Sequence, residues 1–417
     1  MNLVLFTSSY PYVRGGEQNF LDNEIRHLVK YFEHVVLVPE RKQIKERFGN
    51  QSGAEVDDSY AELLNSQAVV IIFLRGLFSS LFIKGIMDKK FPRFSLKALR
   101  RLIAIAGKAE ITRQWVESWA SRQGIDYKDF LFYTYWFDQA TLGVGLLKEK
   151  YPNICLISRA HNYDIYEERY YDPPFWPCRR YILNILNQLF PCSLDGADYM
   201  RLRYPEYANR YTVSLLGVEE PGFITRASED GTLRIVSCSL LRPEKRVALL
   251  LEGFLRAAIR QPNRRMEWHH IGNGEDRDLL QIKANDSLPL SAKVFFVDYT
   301  DNFTLMKFYR DNPVDVFVNV SSSEGIPVSI MEAISCGIPI IATPVGGSVE
   351  IVSDKNGILL SENPTPDEIA VTLLQLFEKR EQMLDKRLGS RAVWLERYNE
   401  AINYEIFAQQ LIKIRNH

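Results

Sequence analysis

At 417 residues, the chain is long enough for two domains with separate cores. Hydrophobic residues make up 46% and charged residues 25%, which is ordinary for a folded protein. The formal net charge of -1 supplies no overall field for nucleic acid, so no nucleic-acid partner is expected. Five cysteines without C-x-x-C spacing argue for a reducing compartment and against a disulfide or zinc framework.

The first residues, Met1 to Thr7, read as a strand. They lack the basic region and small-residue cleavage site of a signal peptide, so a cytoplasmic location is expected. Further strands are predicted at 35–39, 130–135, 155–159 and 189–192, and in the second half at 233–238, 266–271, 293–297, 314–320 and 338–342. Amphipathic helical runs alternate with them, the first at 19–31. That alternation predicts an α/β chain of parallel sheets covered on both faces. Cys155, Cys192 and Cys238 fall in the apolar runs, where core packing is their expected role. Residues 217–231, rich in Gly, Glu and Pro, are the best linker, and the last forty residues read as two or three helices.

Several loops carry chemistry. Ser8 to Glu17 follows the first strand and contains Gly15-Gly16, a pair that permits close backbone approach. Arg159-Ala160-His161-Asn162-Tyr163-Asp164 lies at the carboxyl end of another strand. Arg242-Pro243-Glu244-Lys245 follows the first strand of the second half, where cations can neutralise a diphosphate. His269 and His270 are adjacent on a strand and point to opposite faces, a poor ligand pair. Gly272-Asn273-Gly274 lacks the third glycine of a dinucleotide fingerprint and reads as a close-approach turn beside a nucleotide.

Between Arg75 and Lys108 there are nine Lys or Arg residues against Asp88 alone. The apolar run from Ala68 to Met87 includes Arg75 and Lys84, which argues against a spanning helix. Two readings fit this segment. One is a peripheral contact with an anionic membrane surface on the inner face. The other is a core strand followed by helices with a solvated basic face.

The most informative stretch is Ser323-Glu324-Gly325-Ile326-Pro327-Val328-Ser329-Ile330-Met331-Glu332. It follows a buried strand, and Pro327 suits the first position of a helix because its missing N–H goes unused there. The N–H groups of that helix make a seat for a phosphate or sugar oxygen. Glu332 shares a helix face with Val328 and can reach back toward the seat.

From Asp315 to Gly357, the order Glu-Gly-x7-Glu, Gly-x-Pro and Gly-Gly-x-x-Glu resembles retaining GT-B glycosyltransferases of family 4. The resemblance implies two doubly wound, Rossmann-like domains facing across a cleft, here 1–220 on the acceptor side and 231–397 on the donor side. It also implies a final helix, 398–417, that crosses back to the first domain. The implied activity is metal-independent, retaining transfer of a sugar from a nucleotide diphosphate donor to a glycan or lipid-linked acceptor. Exopolysaccharide, capsule or lipopolysaccharide assembly is the implied setting.

No Asp-x-Asp stands at a suitable strand end, so neither metal nor cofactor is expected. The implied donor residues are Gly16, Arg242, Lys245, Tyr299, Glu324, the N–H groups of Gly325, Ile326, Val328 and Ser329, and Glu332. Glu324 would take a sugar hydroxyl and Glu332 the ribose. Gly15, Gly16, Arg159 and His161 are implied on the acceptor side. His161, Lys245, Arg242 and Glu324 are the implied catalytic set. The family Arg of the phosphate loop falls on Leu240, and Arg242 is expected to replace it. Pro327 stands where many relatives use a glycine N–H. A nucleotide-sugar epimerase or hydrolase of the same architecture, or a non-catalytic nucleotide-sugar-binding protein, would share these features.

Overall fold

The structure, a computed structural model, describes residues 1–13, 17–42, 47, 53–298 and 301–416. Two compact units divide the chain: Met1–Leu216 with Ala401–His417, and Gly217–Glu400.

The first unit holds a six-stranded parallel sheet: β1 (Asn2–Thr7), β2 (His34–Pro39), β3 (Glu55–Val56), β4 (Phe130–Thr134), β5 (Cys155–Ala160) and β6 (Gln188–Pro191), in the order β3-β2-β1-β4-β5-β6. Alternation along β1 explains its two faces. Leu3 and Leu5 join one core cluster, which also takes Phe407, Ala408 and Leu411 of the last helix. Val4 and Phe6 join the cluster on the other face, with Trp115, Trp119 and Phe132.

The second unit repeats the plan: β7 (Leu233–Cys238), β8 (Met266–Ile271), β9 (Ala292–Val297), β10 (Val316–Asn319), β11 (Ile340–Ala342) and β12 (Gly357–Leu359), in the order β12-β11-β10-β7-β8-β9. All ten strands expected from sequence are present. The two that escaped notice, β3 and β12, are edge strands of two and three residues. Segments so short show no period to read.

Residues 69–78 form a helix, Val69–Phe78, instead of the core strand considered above, and Ser80–Ile86 forms a second. Val and Ile occupy a run that suits either state, and glycine contacts decide it. A Cβ on Gly76 would stand 1.9 Å from the Ile103 carbonyl oxygen, and one on Gly107 would stand 1.9 Å from that of Ile72. The Val69–Phe78 helix therefore lies backbone to backbone on the long helix Leu96–Gln123. Ser79 breaks the apolar run; its side chain caps the second helix and donates to Glu110. Among the described residues, no single helix is long and apolar enough to cross a membrane.

Alanine is the better helix former by about 1 kcal/mol, yet Gly107→Ala should destabilise the protein. The obstructing atoms are backbone and cannot swing aside, so overpacking of about 1–3 kcal/mol should win. Urea unfolding gives the sign, and a variant as stable as the parent would show that the helices separate freely.

Candidate active site

In the second sheet, strand order reverses between β7 and β10. Doubly wound sheets hold ligands at the carboxyl ends of strands beside such a reversal. Two loops leave β7 and β10 there and are tied together. The Ser322 N–H and Oγ both donate to the Glu244 carbonyl, at 2.7 and 3.2 Å. This tie brings two expected site residues together: Lys245 Nζ donates to Glu324 Oε1 at 2.7 Å. Asn319, the last residue of β10, donates to the same oxygen at 3.2 Å. Glu324 is buried and Lys245 partly so, which makes this a partly desolvated ion pair with a charge-assisted bond.

The glycine pair at 346–347 seats the carboxylate loop. Gly346 has φ +50°, and a Cβ there would stand 2.0 Å from the Glu324 carbonyl oxygen. Next to it, the Gly347 N–H donates to the Gly325 carbonyl at 2.7 Å. Only glycine allows that backbone approach.

Pro327 is not the first helical residue. It stands just before the helix with ψ 105°, and the helix is Val328–Ser335. A proline is free to end the loop in this way, since its φ of -78° suits extended backbone as well as helix. Val328 and Ser329 thus form the first turn, where N–H groups have no intrahelical acceptor. Gly325 and Ile326 precede them in the loop.

Glu332 is buried one turn further on, and Asn302 Nδ2 donates to its Oε1 at 2.6 Å. Burial raises its pKa to about 7, opposed by the Asn302 bond. Asn302 opens the helix Asn302–Asp311, and only the fold reveals its place beside Glu332. Tyr299 lies outside the described residues.

Arg242 is exposed at the start of the turn that ends in Lys245, and no described hydrogen bond joins its side chain to Lys245 or Glu324. Gly272 and Gly274 do make a close approach, but to this chain's own backbone. A Cβ on Gly272, at φ +145°, would stand 1.9 Å from the Ser239 carbonyl oxygen, and one on Gly274 would stand 2.6 Å from that of Leu241. These glycines let the loop after β8 brace the loop that carries Arg242 and Lys245. Among the described residues, no three His, Cys, Asp or Glu side chains are grouped to hold a metal ion.

In the first unit the strand order reverses between β1 and β4. Glu17, read from sequence only as the end of the glycine loop, organises this place. Its carboxylate accepts the N–H groups of Ser8, Ser9 and Tyr10 at 2.7, 2.6 and 2.9 Å and the indole N–H of Trp136. Gly15 and Gly16 lie outside the described residues. The Trp136 ring packs 4.6 Å from His161 and 4.9 Å from Tyr163.

His161 is fixed from two sides. Its N–H and that of Asn162 donate to Asp164 Oδ1 at 2.8 and 2.9 Å, and its Nε2 meets the Tyr135 carbonyl at 3.1 Å. A carbonyl can only accept, so Nε2 carries the proton and Nδ1 is left as an acceptor. Burial, aided by the Arg159 charge, lowers the His161 pKa to about 3. The ring is neutral at physiological pH.

Arg159 departs from its expected role. It is fully buried, 3.0 Å from the equally buried Glu24. Its guanidinium donates to the Ser214 carbonyl at 2.8 Å and lies 4.0 Å from the Phe407 ring centroid. Its side chain shares the sheet face of Cys155 and Ile157, which the last helix covers, so it holds the unit together from inside the core. None of the five cysteines is in a disulfide, and four of them are buried.

Together these features are those of the GT-B fold, and solved structures agree. The lipopolysaccharide outer core galactosyltransferase WaaB matches with TM-score 0.70 at 13% identity, covering 99% of both chains. Sucrose-phosphate synthase from Thermosynechococcus elongatus matches with TM-score 0.71 at 13% identity, over 99% of this chain and 98% of that one. HepE from Anabaena, solved with UDP and glucose, matches with TM-score 0.65 at 14% identity over 98% of each.

Residues 225–392, within the second unit, match the family model Glycosyl transferases group 1. The O-antigen biosynthesis glycosyltransferase WbnH of Escherichia coli is 29% identical over 134 residues, 32% of this chain and 36% of WbnH. The amylovoran biosynthesis glycosyltransferase AmsK of Erwinia amylovora is 22% identical over 213 residues, 50% of this chain and 52% of AmsK. The chain thus spans about a third to a half of the lengths of these curated relatives.

Arg159→Met should cost about 3–5 kcal/mol of unfolding free energy by stranding the Glu24 charge. Adding Glu24→Leu should recover much of it, because an apolar pair avoids the desolvation penalty. Denaturant unfolding of the single and double variants checks this. Equal losses in both would mean that packing of the arginine, and not charge pairing, carries the effect.

Proposed function

We propose that the protein is a glycosyltransferase moving a sugar from a nucleotide diphosphate donor to a glycan or lipid-linked acceptor. Transfer retains anomeric configuration, needs no metal ion, and serves exopolysaccharide, capsule or lipopolysaccharide assembly at the cytoplasmic face of the membrane. The observation that carries this reading is the contact of Lys245 with Glu324 at the reversal of the second sheet. A cation for phosphate and an acceptor for hydroxyls stand within one hydrogen bond of each other. Relatives named for O-antigen and amylovoran biosynthesis, and a fold neighbour solved with UDP and glucose, support the same class.

The chemistry then follows from charge. As the bond from the sugar anomeric carbon to the diphosphate oxygen breaks, negative charge builds on the leaving group. Lys245 and the N–H groups of Val328 and Ser329 stabilise it, in a partly desolvated site where water screens it less than in bulk. Arg242, exposed on the same loop, supplies a second cation on ligand entry. Glu324 holds a hydroxyl of the donor sugar, and Glu332 with Asn302 holds the ribose. On the acceptor side His161, neutral and rigid, accepts a sugar hydroxyl at Nδ1 without exchanging protons. The new bond forms between the anomeric carbon and the acceptor oxygen, whose proton passes to the departing phosphate.

A panel of nucleotide-sugars in thermal denaturation tests the reading. The correct donor at 100 times its Kd adds about 2.7 kcal/mol, and no response to any donor would remove the proposal. Donor consumption that ignores added glycan and lipid extract would assign a hydrolase or epimerase instead.

Lys245→Ala and Arg242→Ala should each lower kcat at saturating donor by roughly 10²–10³, with less effect on donor affinity. If both grip one leaving group, the double variant should fall far short of the product of the two losses. Normal turnover by Arg242→Ala beside an inactive Lys245→Ala would make Arg242 a surface charge.

Donor affinity should also depend on pH through Glu332. Its carboxylate must be ionised to accept ribose hydroxyls, so binding below about pH 7 has to expel a proton. Kd for the nucleoside diphosphate should rise as pH falls below that value, up to about tenfold per unit, and Glu332→Gln should flatten the profile. Linkage gives stability of the empty protein the opposite trend. The raised pKa contributes stability below the unfolded value, and that contribution is lost as pH rises through about 7. Identical calorimetric pH profiles for parent and Glu332→Gln would place the ribose elsewhere.

A further inference from the structure

The first unit exposes large apolar side chains on two consecutive helices. On Val69–Phe78, Ile71, Leu74 and Phe78 are exposed, Phe78 by 88%. On Ser80–Ile86, Ile83 is 63% exposed, and Met87 just beyond it 76%. The way the helices are seated explains this. A Cβ on Gly76 would stand 1.9 Å from the Ile103 carbonyl oxygen, and one on Gly85 would stand 2.3 Å from the Leu102 side chain. Both helices therefore rest, each through a glycine, on the same turn of Leu96–Gln123.

At 3.6 residues per turn, Ile71, Leu74 and Phe78 point away from Gly76, while Ile83 and Met87 point away from Gly85. The two apolar faces thus lie on the side opposite the supporting helix. No charge interrupts Val69 to Leu74. A helix apolar on its packed and its outward face belongs against more apolar material than water provides.

What covers this face is indicated by the chain that follows it. Many of the basic residues between Arg75 and Lys108 are engaged inside the unit: Lys84 with Glu149 at 2.7 Å, Lys108 with Glu40 at 3.1 Å and Arg75 with Gln114 at 2.7 Å. Lys97 pairs with Asp172. Among the described residues, Lys89, Arg93 and Arg100 have no such partner, and all three are exposed. Beside them stand Phe94, 102% exposed, and Leu96, 70% exposed. Unpaired cations and an exposed aromatic on the segment that follows an apolar face complement an anionic lipid surface.

We propose that the two helices over 69–87 insert their outward face into the headgroup–acyl boundary of an anionic bilayer, with Lys89, Arg93 and Arg100 on lipid phosphates. Insertion is the primary hold and charge selects the lipid, the reverse of the weighting expected from the basic run alone. The helices lie in the surface and do not span it, about 5–10 Å deep. This deepens the membrane part of the reading above and is independent of the transfer chemistry.

Flotation of the full chain with vesicles of phosphatidylglycerol and phosphatidylethanolamine, against pure phosphatidylcholine, tests it. The parent should favour the anionic vesicles by roughly tenfold or more. Phe78→Ser/Ile83→Ser should lose roughly tenfold or more of that binding even at low salt, with unfolding midpoint unchanged as the control for folding. Arg93→Glu/Arg100→Glu should abolish the preference between the two lipids. Equal flotation by the parent and Phe78→Ser/Ile83→Ser, or none by the parent, would overturn the proposal. So would self-association that disappears in Phe78→Ser/Ile83→Ser without any vesicle binding, which would assign the face to a second copy of the chain.

Discussion

The ion pair of Lys245 with Glu324 is the constraint on which the second unit's chemistry depends. The two residues are 79 positions apart and meet because strand order makes β7 and β10 parallel neighbours in the sheet. Every neighbouring peculiarity serves that meeting. The Ser322 bonds to Glu244 fasten one loop to the other, Gly346 and Gly347 seat the carboxylate loop from below, and Gly272 and Gly274 brace the cation loop. Four glycines with backbone contacts closer than any side chain allows are a high density of positions that tolerate no substitution. They secure a rigid seat built from loops, which on their own would be mobile.

The first unit solves a different problem with the same means. The strand ends at its reversal are held by carboxylates turned inward: Glu17 gathers three N–H groups and the Trp136 indole, and Asp164 gathers those of His161, Asn162 and Phe137. Loops that would otherwise leave buried N–H groups unsatisfied are satisfied by single side chains. Such carboxylates are positioning residues: they aim Trp136 and His161 and touch nothing that reacts.

The pattern of buried strands was legible in the sequence because central parallel strands are continuous apolar runs bounded by turns. Edge strands as short as Glu55–Val56 were not, and neither was the choice of helix for Val69–Phe78, which glycine packing decides from another part of the chain. Lys245, Glu324 and Glu332 could be found because each stands in a local motif that follows a strand. Asn302 and Trp136 could not, since their partners Glu332 and Glu17 are 30 and 119 positions away. Arg159 misled for a related reason. Both faces of this sheet are covered, and only the fold shows that Arg159 lies under the last helix while His161 stands just past the end of β5.

One consequence of the Lys245–Glu324 contact concerns selectivity. Each of the two charges is answered by the other, so a small anion that meets Lys245 alone gains less than it would from a free ammonium. An ammonium has three donors, so a ligand that takes Lys245 shares it with Glu324 and weakens its hold on that carboxylate, which keeps the Asn319 bond. A molecule that brings both an anionic group and a hydroxyl satisfies both residues at once. The pair therefore favours a two-part ligand, of which a bare anion supplies only half.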